Sequence, residues 1–188
     1  IRRDDLRASE VIKRLRTLLA RQETERRRFD LNEAVRTTAA ILRAEARRRE
    51  VDVAYDLRAE RADVLGDEVQ IQQVIINLML NAFDASAEVP EAARRVRVET
   101  RDTANGVQVS VRDFGVGIAL ADLPRVFDSF FSTKRSGMGL GLAIARSIVE
   151  AHGGTISAAS CEVGAEFRFI LPLAPAADLP EPAAASTP

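Results

Sequence analysis

The order of secondary-structure signals predicts an α+β fold, a two-layer α/β sandwich in which helices cover one face of a mixed sheet. Three observations lead there. Helix-like and strand-like apolar spacing follow one another as helix, strand, helix, then hairpin, loop, helix, hairpin. Between Val96 and Val111 apolar residues alternate on both sides of Asn105-Gly106, a strong short-range hairpin signal. A chain of 188 residues with 46% hydrophobic content is long enough to bury one full core and to leave flanking segments over.

The elements follow in order. From Asp4 to Arg28 the pattern is helical, with Ala8, Val11, Ile12, Leu15, Leu18 and Leu19 forming a stripe among charged residues, and such a stripe calls for a partner. Phe29 and Asp30 interrupt it. Asp30 with Glu33 reads as a capping box that opens a second helix reaching about Glu50. Val51, Val53, Tyr55 and Leu57 then alternate with polar residues as a strand does, and a third helix is expected over Asp67 to Ser86. After the Val96–Val111 hairpin and a glycine-punctuated stretch, Gly139 to Ala151 is helical and Gly153-Gly154 stops it. Thr155–Ala159 and Phe167–Leu171 make a closing hairpin. From Ala174 onward the chain is rich in Ala and Pro with little to bury, which predicts a disordered tail. No internal repeat is visible.

Composition narrows the function classes. The net charge of -1 conceals an asymmetry, since residues 1–50 carry 15 Lys/Arg against 9 Asp/Glu and the remainder carries the acidic excess. Acids are interleaved with the bases and Phe29 is the one aromatic among them, so a solvated helix face is expected there rather than a nucleic-acid surface. One Cys and one His exclude an internal disulfide and a Cys/His metal cluster, in keeping with a reducing cytoplasm. No apolar run is long enough for a membrane span and no signal peptide is present, so this piece is expected to make no membrane contact. Its first residue is Ile rather than Met, which predicts a fragment whose parent could carry an anchor elsewhere.

Three clusters carry chemistry. On a helical wheel Gln70, Gln73, Asn77, Asn81 and Asp84 share one stripe, beside an apolar stripe of Ile71, Val74, Ile75, Leu78 and Ala82. Two Asn side chains four residues apart can turn carbonyl oxygens toward one hard cation such as Mg²⁺, although a plain solvated face has the same pattern. Asp113-Phe114-Gly115-Val116-Gly117 places a carboxylate at a strand end before a flexible turn, where it can accept a hydrogen bond from an exocyclic amine; an ordinary strand-exit turn reads alike. Gly137-Met138-Gly139-Leu140-Gly141-Leu142 opens a helix, where unpaired N–H groups favour phosphates, with Lys134 and Arg135 just upstream; glycines there also serve packing.

Together and in this order, the three clusters resemble the sensor kinase group of the GHKL ATPase superfamily, over about Phe29 to Pro172. Gln73 to Ala82 resembles its N box, Asp113 to Gly117 its G1 box, Val126 to Lys134 its F box and Gly137 to Leu142 its G2 box. The resemblance implies a Bergerat-type ATP-binding fold preceded by one amphipathic helix. It implies ATP and Mg²⁺ as cofactors, with Asn81 ligating the metal, Asn77 assisting, and Asn77, Asn81 and Lys134 as the catalytic set. Asp113 would recognise adenine and Gly139 and Gly141 would hold phosphates, within a wider binding set of Asp84, Gly115, Gly117, Phe127, Thr133, Lys134, Gly137, Met138, Leu140 and Leu142. Residues from about Ile118 to Met138 would form a lid anchored by Phe127 and Phe130. The F box ending Phe-Ser-Thr-Lys resembles the nitrogen-regulation and oxygen-sensing subgroup.

Further implications concern roles. In topoisomerase and mismatch-repair relatives the position matching Asn77 is a water-activating glutamate, and an amide cannot be that base, so hydrolysis is expected to be slow. A hydroxyl that usually sits beside the adenine-binding Asp is replaced here, in Gly164-Ala165-Glu166-Phe167, by the methyl of Ala165. His152 has a structural role by this resemblance. No His followed by an acidic residue precedes the N box, so residues 1–28 resemble the second helix of a truncated dimerisation hairpin, 29–173 the catalytic domain and 174–188 a tail. The implied function is transfer of the ATP γ-phosphoryl group to a histidine on a helical hairpin outside this fragment, for relay to a response regulator, with the intact protein a homodimer. The alternative is a nucleotide-binding regulatory pseudokinase, and more distant rivals are a serine kinase of the same superfamily and a hydrolytic switch.

Overall fold

A computed structural model describes residues 26–134 and 138–175. Most of the expected first helix and all but the first residues of the expected tail lie outside them. The chain order is β1 (Arg27–Asp30), α1 (Leu31–Arg48), β2 (Asp52–Leu57), β3 (Asp63–Gly66), α2 (Glu68–Ser86), β4 (Arg95–Thr103), β5 (Gly106–Asp113), α3 (Gly141–Ala151), β6 (Thr155–Ser160) and β7 (Ala165–Leu171), with short 3-10 turns at Glu91–Ala93 and Leu123–Arg125.

The main sheet runs β2-β4-β5-β7-β6, with β2 parallel to β4 and the other neighbours antiparallel. Alternation puts Val96, Val98, Val107, Val109, Val111, Phe167, Phe169 and Leu171 on its buried face. There they meet α2, whose Ile71, Val74, Ile75, Leu78, Met79 and Phe83 are fully buried, each worth about 1.5–3 kcal/mol of burial. The opposite face carries Arg95, Arg97, Glu99, Arg101, Arg112 and Arg168, and among the described residues no helix covers it. The mixed, one-sided α/β sandwich read from the sequence is therefore the architecture observed.

Helix starts follow the expected chemistry, with one difference. The Asp30 carboxylate accepts from the Glu33 N–H at 3.0 Å, and Asp67 accepts from the N–H groups of Val69 and Gln70 at 2.9 and 3.1 Å. The Glu33 carboxylate turns forward to Arg36, so only half of the predicted capping box forms. At the β4–β5 turn the tip residues are Ala104 and Asn105, and Gly106 is already the first residue of β5, opposite Thr103. Gly106 is required there: its φ is +142° and a Cβ would lie 2.0 Å from the Leu171 carbonyl oxygen.

Two expectations are corrected. Arg27 and Arg28, read as the end of the first helix, lie in β1, which pairs antiparallel with the unpredicted strand β3 and buries Phe29. Four-residue strands are too short for their period to stand out. Gly139 and Leu140 precede α3, which begins at Gly141. Among the described residues no helix is long and apolar enough to cross a membrane, and Cys161 is a free thiol.

Candidate nucleotide-binding site

β5 delivers Asp113 to the end of the sheet, where only 2% of it remains exposed. Its Oδ1 accepts from the Gly115 N–H at 2.9 Å and the Ala165 N–H at 3.3 Å. Burial pushes its pKa above the ordinary 3.8, and the two N–H donors only partly offset that. Close packing holds the carboxylate in place. A Cβ on Gly115 would meet the Ala85 carbonyl oxygen at 2.3 Å, and one on Gly164 would meet the Asp113 carbonyl oxygen at 2.0 Å. Ala165 is 2% exposed and donates its backbone N–H to Asp113, while its methyl offers no hydrogen bond.

The polar stripe of α2 faces the same space. Asn77 donates from Nδ2 to the Gly141 carbonyl at 3.1 Å and accepts from Gln73 on Oδ1, so it ties α2 to the first residue of α3. Asn81 Oδ1 lies 3.5 Å from Lys134 Nζ, and the same ammonium sits 2.7 Å from Asp84 Oδ2. Asp84 Oδ1 is held by Arg49, whose Nε donates to Glu45 at 2.5 Å. Burial raises the Asp84 pKa, but its bonds to Lys134 and Arg49 outweigh this and hold it below 3.8.

On the third side, Gly139 takes a left-handed φ of +66°, and a Cβ there would meet the Phe130 backbone at 2.5 Å. Its carbonyl accepts from the Phe130 N–H at 2.9 Å. α3 starts without a side-chain cap, and a Cβ on Gly141 would find nothing nearer than Asn77 at 3.9 Å, so the helix start opens onto free space.

These groups line one cavity of about 510 Å³. Asn77, Asn81, Asp84 and Asp113 border it, as do Gly117, Thr133, Lys134 and the run Met138 to Leu142. Gly115 stands behind it, packed on α2, and Phe127 packs edge-on to Phe167, which does line the wall. Gly137 lies outside the described residues. Phe130 is a correction: it is 74% exposed with a φ of +68°, and the inward aromatic of that segment is Phe131, with the Arg125 guanidinium 4.8 Å above its ring. Sequence reasoning also missed Arg49, which reaches the cavity across 35 residues of sequence. The i,i+4 spacing of Glu45 and Arg49 was legible, but nothing local connects either residue to Asp84.

His152 has the structural place expected of it. Its Nδ1 faces the Ile148 carbonyl at 2.8 Å and must donate, and its Nε2 accepts from the Asp67 N–H at 3.0 Å. Gly66 makes room, since a Cβ would lie 2.3 Å from the ring.

Comparison with known proteins agrees with this geometry. The family described as histidine kinase-, DNA gyrase B-, and HSP90-like ATPase matches residues 66–175. Sensor protein FixL of Bradyrhizobium diazoefficiens is 43% identical over 90% of this chain and 34% of its own length. Sensor protein TdiS of Thauera aromatica is 32% identical over 88% and 31%. The chain thus spans about a third of the curated relatives named. Among solved structures, the catalytic domain of histidine kinase ThkA superposes with a TM-score of 0.70 at 33% identity, covering 79% of this chain and 95% of that one. Full-length ShkA in complex with AMPPNP gives 0.73 at 29% identity, over 88% of this chain and 35% of that one. With its cavity built from the N, G1, F and G2 segments, the chain belongs to the histidine kinase-, DNA gyrase B- and HSP90-like ATPase family, as a histidine kinase catalytic domain.

Proposed function

We propose that this domain binds Mg-ATP in the cavity and, within the intact protein, delivers the γ-phosphoryl group to a histidine on a dimeric helical hairpin, from which an aspartate of a response regulator receives it. The observation that carries the reading is that Asn81, Asp113 and Gly139 border one space large enough for a nucleotide. Asp113 accepts a hydrogen bond from the adenine amine, and the start of α3 with Gly139 and Gly141 receives the phosphates. Lys134 supplies positive charge beside them. A structure of ThkA in complex with response regulator protein TrrA, similar to this chain at a TM-score of 0.71 and 28% identity, supports a regulator as partner.

The residues fit a phosphate-bound divalent ion. Among the described residues no group of three His, Cys, Asp or Glu could hold a metal, so an ion here draws on side-chain amides and on oxygens of the nucleotide. Asn81 is the better placed, since the Asn77 amide is committed to Gln73 and Gly141. When bound, the ion neutralises charge on the phosphates. What the chain itself contributes is positioning, and Asn77 offers no carboxylate to activate water.

The test is to mix the chain with a polypeptide carrying the histidine hairpin and γ-labelled ATP. Acid-labile label on the hairpin is expected, and its absence while ATP binds would sink the transfer step. A second expected result concerns Ala165. Threonine there places a hydroxyl beside Asp113 on a strand position that suits a β-branched residue, and one added hydrogen bond of about 0.5–1.5 kcal/mol tightens ATP binding by up to about tenfold. Calorimetric titration of Ala165→Thr against the parent reads it directly.

A further inference from the structure

Four alternating charges run from α1 to the edge of the cavity. Glu45 holds Arg49, Arg49 holds Asp84 Oδ1, and Asp84 Oδ2 holds the Lys134 ammonium at 2.7 Å. All four are only partly exposed, at 26% for Glu45, 25% for Arg49, 38% for Asp84 and 36% for Lys134, so water screens them incompletely. Arg49 and Asp84 are rigidly based, one at the C-cap of α1 and the other in the last turn of α2, whereas Lys134 stands on a segment without regular structure. An ammonium has three donors but one charge, so the strength of its attachment to a carboxylate depends on how far that carboxylate is already neutralised. Arg49 is what neutralises it.

We propose that Arg49 is a positioning residue for nucleotide binding, which by holding Asp84 sets how readily Lys134 exchanges Asp84 for a phosphate oxygen. The inference rests on the reading that Lys134 meets the phosphates. With Arg49 in place, Asp84 is a weak competitor whose charge is shared between two cations, and Lys134 is released to the polyphosphate at small cost. Without Arg49, the full charge of Asp84 falls on Lys134, and the nucleotide must break a stronger pair. Asp84 thus opposes phosphate binding and Arg49 relieves that opposition, both acting through Lys134.

The experiment compares ATP and adenosine affinities by calorimetry on the whole chain for Arg49→Met, Arg49→Lys, Asp84→Asn, Lys134→Ala and the Arg49→Met/Asp84→Asn pair. Partial screening makes the expected changes about fivefold. Arg49→Met should weaken ATP binding by that factor and leave adenosine binding unchanged, and Arg49→Lys should restore most of the loss. Asp84→Asn should tighten ATP binding, and the double variant should match Asp84→Asn, because Arg49 acts only through that carboxylate. Equal losses for ATP and adenosine in Arg49→Met, or a double variant as weak as Arg49→Met alone, would overturn the inference. Lys134→Ala should weaken ATP and spare adenosine. If it leaves ATP unchanged, the phosphate reading of Lys134 fails first. If it weakens ATP while Arg49→Met does nothing, only the role of Arg49 is refuted.

Discussion

Asp113→Asn is expected to weaken ATP binding by about 10- to 150-fold, the range for losing a hydrogen bond to a charged acceptor of about 1.5–3 kcal/mol. Asparagine keeps the shape and retains an oxygen for the Gly115 and Ala165 N–H groups, so the fold should persist. What it removes is a side chain that only accepts. Its NH₂ end would face the adenine amine, donor against donor. The pH dependence gives a second reading of the same carboxylate. Because burial raises the folded pKa of Asp113, ionisation there costs stability: its favourable contribution is present below 3.8 and is lost as pH rises through the elevated folded value. Nucleotide binding needs the ionised form, so affinity should fall as pH drops through that elevated value, and Asp113→Asn should abolish the dependence. Asp84 has the opposite sign. Held below 3.8 by Lys134 and Arg49 against its own burial, it stays charged through the same window and cannot produce the loss. Titrations from neutral to mildly acidic pH, with unfolding followed in parallel, separate binding from stability. An asparagine variant with parental affinity would remove Asp113 from the site.

Gly164→Ala is the second large effect and acts on the fold itself. The backbone there has a φ of +77°, and the added Cβ would sit 2.0 Å from the Asp113 carbonyl oxygen and 2.9 Å from its Oδ1. The left-handed conformation costs about 1–2 kcal/mol and forced repacking about 1–3 kcal/mol, so a total of about 2–5 kcal/mol is expected. The contrast is Gly141→Ala, whose Cβ has no neighbour within 3.9 Å and should leave the unfolding midpoint nearly unmoved. Thermal unfolding checks both. Equal midpoints for Gly164→Ala and the parent would mean that the turn before β7 yields easily and does not brace Asp113.

The parts of this molecule that read clearly from sequence are those whose signals are local and repeated. α2 could be divided into a polar and an apolar face because 19 consecutive residues hold one period, and the predicted Ile71, Val74, Ile75, Leu78 and Ala82 are all buried, joined by Met79 and Phe83. Asp67, Asp113 and the glycines around Gly139 were legible for the same reason, each being a cap, strand end or turn with its own residue chemistry. What stayed hidden depends on pairing at a distance. β1 and β3 are four residues each, and Phe29 gains its burial only once they meet. The F segment offered two candidate anchors, Phe127 and Phe130, yet the chain turns at Phe130 with a positive φ and presents Phe131 inward. A single left-handed residue reverses such an assignment, and aromatic composition gives no warning of it. Arg49 escaped because its meaning lies wholly in a partner on another helix.

The two fastenings between α2 and α3 have a joint consequence. The imidazole of His152 clips the far end of α3 to the first turn of α2, and the amide of Asn77 clips its near end ten residues further along, a span of about 15 Å on either helix. Tied at both ends, this pair resists spreading apart. On the proposed reading, a nucleotide would enter and leave by the side of the cavity bordered by Gly117, Thr133 and Lys134, with the packed faces of both helices left dry.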